Sequence, residues 1–199
     1  MQGDFFERSW RIWVDGGMVM IPLFLVSMCI YILAAQLLLY FYRRQLNRVG
    51  EETWQNWIAS PKEAAGEVGE IIRYTQDEVR SLADIQGRFS EVASAKIPPI
   101  ERRLVLMNIL VLAAPLLGLL GTVLGMLTTF RAISLGGGKM AEMVAKGISE
   151  ALITTEMGLL IAIPGYFLAY VIRRKKAEYE AFLARLESCT IQCFKKNLA

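Results

Sequence analysis

The chain contains no histidine. Serine–histidine–aspartate and cysteine–histidine catalysis therefore have no base, and zinc has no imidazole ligand. Cysteine is scarce, with three in 199 residues. Cys29 lies in an apolar run, and Cys189 and Cys193 stand four apart, unlike the CxxC of redox or metal sites. They read as reduced, unpaired thiols, and no metal is expected. A charge excess is missing too: 22 basic against 19 acidic residues leave +3, with no polybasic signature for nucleic acid. The one glycine-rich loop, "ISLGGGKMAEM" at 133–143, lacks the spacing of a phosphate loop and has Met140 where Ser or Thr is required. Neither a cofactor nor an enzyme activity is expected.

Apolar residues are abundant. They make up 54% of the chain, the mean hydropathy is +0.38, and they fall in long blocks. Three blocks reach the roughly 20 residues needed to span a bilayer: 18–42, 104–130 and 147–172. The first is too long for the core of a signal peptide and is followed directly by Arg43 and Arg44, so it reads as a retained anchor. Arg43, Arg44 and Arg48 follow the first span, Lys96, Arg102 and Arg103 precede the second, and Arg173, Arg174, Lys175 and Lys176 follow the third. Arg8, Arg11, Arg131, Lys139 and Lys146 mark the less basic side. The positive-inside rule then puts the N-terminus outside and the C-terminus in the cytoplasm. The expected order is a periplasmic segment 1–17, a cytoplasmic helical segment 43–103 between the first two spans, a short periplasmic loop 131–146, and a cytoplasmic helix 173–199.

In 43–103, Val68, Ile71, Ile72, Val79, Leu82, Ile85, Phe89 and Val92 recur at helical spacing. "SPKE" at 60–63 predicts a helix start with Ser60 as cap, and the prolines of "IPPIERR" at 97–103 predict a break before the second span. In the tail, Tyr179, Phe182, Leu183, Leu186, Cys193 and Phe194 form a stripe. It needs a partner face, either on 43–103 or on a neighbouring subunit.

At about 100° per residue, Gly147, Ala151, Gly158, Ala162 and Gly165 of the third span share one sector. Thr154 and Thr155 flank it, and Glu150 sits at its edge. On the second span Ala114, Gly118, Gly121, Thr122 and Gly125 share a face, and "GTVLG" is a GxxxG pattern. Such faces let membrane helices approach closely. The glutamates are harder to house, since a carboxylate at the centre of a span costs about 2.5–3.5 kcal/mol on insertion scales. Lys146 would hold Glu150 at the interface in part. Glu156 lies about 9 Å further along the axis, beside Leu160 and Ile163, and faces either a different neighbour or a second wet surface.

"APLLGLLGTVLGMLTTF" (114–130) followed by "GISEALITTEMGLLIAIP" (147–164) resembles the signature of the MotA/TolQ/ExbB proton-channel family, its ExbB branch above all. "GGMVMIPL" (16–23) is similar to the family's opening, and three spans rather than four argue against MotA. The resemblance implies an all-α integral membrane protein whose three transmembrane helices extend into the cytoplasm as a bundle. It implies a homo-oligomeric ring, a pentamer, in a bacterial inner membrane around an ExbD-like single-span partner carrying a membrane aspartate. Ion flow, of protons with sodium as the alternative, would drive a TonB-like protein and energise outer-membrane transport. The family's pore glutamate falls on Glu150 and its pore threonines on Thr122 and Thr155. Glu156 stands where alanine is common, which leaves open the number of titratable groups. A TolQ-like stator for envelope maintenance, and a scaffold that conducts nothing, are the competing readings.

Overall fold

The computed structural model describes residues 13, 16–43, 51–77, 79, 81–136 and 140–198. Most of the 1–17 segment lies outside the described residues, as do Arg44, Arg48 and Lys139. The elements are α1 (Met20–Arg43), α2 (Glu51–Ala59), a 3₁₀ turn (Pro61–Glu63), α3 (Gly66–Gln76), α4 (Leu82–Leu135) and α5 (Met140–Leu198), and no strand occurs among the described residues. Three helices, α1, α4 and α5, are long and apolar enough to cross a membrane. At about 1.5 Å per residue the 54 residues of α4 and the 59 of α5 run about 80 and 90 Å, against about 30 Å of hydrocarbon core. More than half of each therefore lies beyond the lipid.

Two compact units divide the chain, one of residues up to Ala34 with 105–169, the other of 35–104 with 170–199. In the first, Ala114, Gly118 and Gly125 of α4 oppose Gly158, Thr154 and Gly147 of α5, so these two helices are antiparallel. Gly16 meets Ile153, and Ile30 meets Gly165, so α1 runs parallel to α5. This is the alternation that three successive crossings require. The large side chains point outward: Phe24 and Met28 on α1, Leu116 and Val123 on α4, Leu160 and Phe167 on α5 are all exposed. A surface so apolar suits lipid or a membrane partner.

The second unit has the opposite grain. Trp54, Ile58, Val68, Ile71, Ile72, Ile85, Phe89, Val92, Tyr179, Leu183 and Leu186 form one buried cluster, with Phe182, Cys193 and Phe194 packed against it. Trp54 meets Phe182 edge to face at 6.1 Å. The tail stripe thus closes on the helices of 43–103 within the same chain. Around the cluster, Lys96 pairs with Glu67, Lys176 lies 3.3 Å from Glu101, and Arg73 donates to the Ala64 carbonyl at 2.6 Å.

Three local expectations are corrected. Pro98 and Pro99 do not interrupt the chain, because α4 runs through them unbroken. Each lacks an N–H, which frees the carbonyls of Ser94 and Ala95 one turn earlier, but both prolines are exposed and water can satisfy those groups. Ser60 makes no side-chain cap, and Pro61 starts only a 3₁₀ turn. The chain turns extended at Ala64 and Ala65, and the helix restarts at Gly66. The expected 131–146 loop is largely helical. Helix α4 reaches Leu135, Gly136 ends it in the left-handed conformation (φ 64°), and α5 begins at Met140.

Leu186 is fully buried among aromatic and branched side chains. Leu186→Ala is expected to destabilise the second unit by about 2–5 kcal/mol, read as a lower denaturation midpoint in detergent, while exposed Ser188→Ala leaves it unchanged. Glu178 accepts from Lys175 at 2.8 Å and Arg174 at 3.2 Å. The Lys175 hydrogen bond chiefly, with Arg174 adding, holds its carboxyl below the ordinary value. A depressed carboxylate adds stability above its unfolded value that is lost as pH falls through the folded one. Between about pH 5 and about pH 3, Glu178→Gln is expected to lose slightly less melting temperature than the wild type.

Candidate functional site

The small residues of α4 and α5 form the closest helix approach in the first unit. A Cβ added at Gly118 would fall 2.8 Å from the Thr154 carbonyl oxygen and 3.2 Å from Thr155 Cα. At Gly158 it would fall 2.8 Å from the Ala114 carbonyl oxygen, and at Gly125 2.6 Å from that of Gly147. Gly121 faces the Thr154 side chain. Ala114, Ala151 and Ala162 are buried in the same seam. Gly165 closes it beside Val111 and Ile30, where the third helix joins. At Gly118, Gly125 and Gly158 the opposing backbone leaves no room for a methyl group, and the alanines beside them are the next smallest residues that the close approach admits.

The threonines differ in exposure. Thr154 is completely buried, and its hydroxyl donates to the carbonyls of Ala151 at 3.0 Å and Glu150 at 3.2 Å. Thr155 is half-buried, with its hydroxyl 3.3 Å from the Ala151 carbonyl and 3.4 Å from that of Gly118 across the seam. Thr122 is half-buried and donates to the Leu119 carbonyl at 2.6 Å. Each hydroxyl proton is held by backbone, and the oxygen lone pairs of Thr122 and Thr155 remain able to accept. Thr128 and Thr129 both donate to the Gly125 carbonyl, at 2.6 and 3.0 Å. These two were not singled out in the sequence, since a threonine that back-bonds within its own helix has no pattern of its own.

Glu150 is half-buried on the flank of α5 that turns toward α1, where its carboxylate lies against Gly17. No ion pair joins it to Lys146, which is exposed. Glu156 is exposed, on the side of α5 opposite the seam, among the exposed Leu152, Leu160 and Ile163. Glu150 and Glu156 are therefore not brought together within this chain. The glycine-rich 133–143 stretch forms the end of α4 and the start of α5, with 137–139 outside the described residues. Among the described residues no cluster of acidic side chains and cysteines could hold a metal ion.

Residues 66–184, more than half of the chain, match the MotA/TolQ/ExbB proton channel family. The chain belongs to that family. It is 43% identical over 81 residues to an ExbB-like biopolymer transport protein of Synechocystis sp., covering 40% of this chain and 39% of that protein. It is 44% identical over 71 residues to the Tol-Pal system protein TolQ of Haemophilus influenzae (35% and 30%), and 41% identical over 68 residues to the biopolymer transport protein ExbB of Pseudomonas putida (34% and 21%). The matches thus span two fifths or less of these relatives' length. Together with three helices able to cross a membrane, they make this chain an ExbB-like, multi-pass membrane member of the MotA/TolQ/ExbB family.

In this family member the glycine seam is the feature most sensitive to side-chain volume. Gly158→Leu and Gly121→Leu are each expected to cost about 1–3 kcal/mol or more and to lower the melting temperature of the purified protein. Leu116→Ala, on the outward face of α4, is expected to change it little.

Proposed function

We propose that this chain is the ion-conducting stator subunit of an ExbB-type energising complex in a bacterial inner membrane, with Glu150 as the proton-carrying group. The observation that carries the reading is the location of Glu150. A carboxylate inside an apolar span is half-buried on a helix flank, paired with no cation among the described residues, one turn from Thr154 and Thr155. Such a group lowers its cost in a membrane by taking up a proton, and this makes it usable as a carrier. Membership of a proton channel family supports the ion, and the ExbB relatives' names support biopolymer transport as the output.

In this reading the protein forms a homo-oligomeric ring, its exposed apolar faces covered by copies of itself, lipid and an ExbD-like single-span partner. Glu150 takes a proton from the periplasmic side and hands it to an acidic group of that partner. Thr122 and Thr155 hold waters on the path through their free lone pairs, while the sealed Thr154 serves packing. The membrane potential supplies about 2.3 kcal/mol per charge per 100 mV, so several protons are needed for one mechanical step passed to a TonB-like protein. The basic residues after α1, before Leu104 and after Ile172 support a periplasmic N-terminus and a cytoplasmic C-terminus. A TolQ-type assignment rests on the same residues and is favoured by the TolQ relative. The two differ in partner.

The test is proton flux into liposomes under a pH gradient and a membrane potential, with the protein co-purified with its single-span partner. Glu150→Gln is expected to abolish flux while the complex keeps its mass. Equal flux in wild type and variant would remove Glu150 from the path and move the role to Glu156. A wild type without flux, tested with the complete set of partners, would support the non-conducting scaffold.

A further inference from the structure

We propose that Gly17 is a positioning residue for Glu150: the side chain it lacks leaves the space that the carboxylate occupies. Gly17 begins the turn into α1, and its carbonyl accepts from Met20 N at 3.2 Å. Its backbone is left-handed, with φ 69°. A Cβ there would lie 3.2 Å from Glu150 Cγ, 2.6 Å from Cδ and in outright collision with Oε1. The neighbouring Gly16 is buried against Met20 and Ile153, and Ile153 lies one turn beyond Glu150 on the same flank. The turn is therefore seated on α5 at the glutamate.

Two other glycines separate this effect from backbone strain. Gly66 and Gly136 have almost the same φ, 70° and 64°, yet a Cβ at either would meet nothing within 4 Å. There glycine serves the turn alone. At Gly17 it serves the turn and also leaves room for a neighbour's functional group. With that room filled, the Glu150 side chain must rotate away from Gly17. This concerns where the carboxylate is held, and it bears on ion conduction only through the carrier role proposed above.

Carboxylate reactivity provides a readout independent of conduction. The full-length protein in liposomes is treated with dicyclohexylcarbodiimide, which modifies protonated carboxyl groups in apolar surroundings, and labelling is quantified by peptide mass spectrometry. Glu156, exposed on the side of α5 opposite the glycine seam, is the internal reference. By displacing the Glu150 rotamer, Gly17→Ala is expected to shift the ratio of labelling at position 150 to that at Glu156 by about tenfold. Glu150→Asp shortens the side chain by one methylene and makes room for the added Cβ. Adding Gly17→Ala to Glu150→Asp should therefore leave the ratio of the Glu150→Asp protein within about twofold. Gly136→Ala, with the same backbone strain and open space, is expected to match the wild type. An unchanged ratio in Gly17→Ala, an equal shift in Gly136→Ala, or an equal shift on the Glu150→Asp background would each overturn the proposal. Should Gly17→Ala fail to assemble, recovery in the double variant supports it and failure of both overturns it. Retention of flux in Glu150→Gln would sink the carrier reading and leave this labelling result standing.

Discussion

The close approach of α4 to α5 is the constraint on which the rest of the structure depends. Along α5 the buried positions Gly147, Ala151, Thr154, Gly158, Ala162, Gly165, Ala169, Ile172, Tyr179, Leu183, Leu186 and Thr190 recur at steps of three or four residues, with one step of seven past the half-buried Lys176. That rhythm is the seam of a coiled coil. What changes along it is size. Within the apolar span the seam is glycine, alanine and threonine, and beyond it tyrosine and leucine. In lipid, apolar side chains gain nothing by leaving their solvent, so helices associate through backbone contact. In water, burying large apolar surface is itself the driving force. One continuous helix satisfies both solvents by changing residue size along its buried stripe.

Helix α4 follows the same logic with one slip. Ile85, Phe89 and Val92 lead, past Pro98 and Pro99, to Ile100, Leu104, Met107, Val111, Ala114, Gly118, Gly121 and Gly125. The step from Val92 to Ile100 is one residue longer than a heptad, a shift that locally unwinds a coiled coil. The exposed prolines stand at this slip. Helix α4 carries on through them.

Against that rigid seam the two glutamates occupy different surroundings. Glu150 lies on the α1 flank of α5, against a glycine turn, with threonines a turn away. Glu156 faces outward among leucine and isoleucine. A carboxylate in that setting calls for a neighbour outside the chain or for a proton, because hydrocarbon stabilises neither the charge nor the unpaired polar group. The first is shaped by the chain itself. The second is left to whatever covers the outward face.

Much of this was legible in the sequence. Long apolar blocks, the small-residue faces and the two out-of-place carboxylates are properties of spacing and composition, and helical periodicity turns spacing into faces directly. Helix ends were less legible. Pro98 and Pro99 suggested a break, and the 131–146 stretch a loop, because local propensity argues for both. At the prolines, the packing of Val92 and Ile100 on the neighbouring turns overrides that propensity. The tail stripe required a partner face, but only the fold shows that this face belongs to the same chain. The meeting of Gly17 with Glu150 was invisible, as the two are far apart in sequence and a glycine carries no pattern of its own. The sequence by itself determined the class of the protein, the number of spans and which residues share a face, since these follow from the helix period and from exclusion of charge by lipid. Only the tertiary structure decided which faces meet, because that depends on where the chain turns and how closely two backbones can approach.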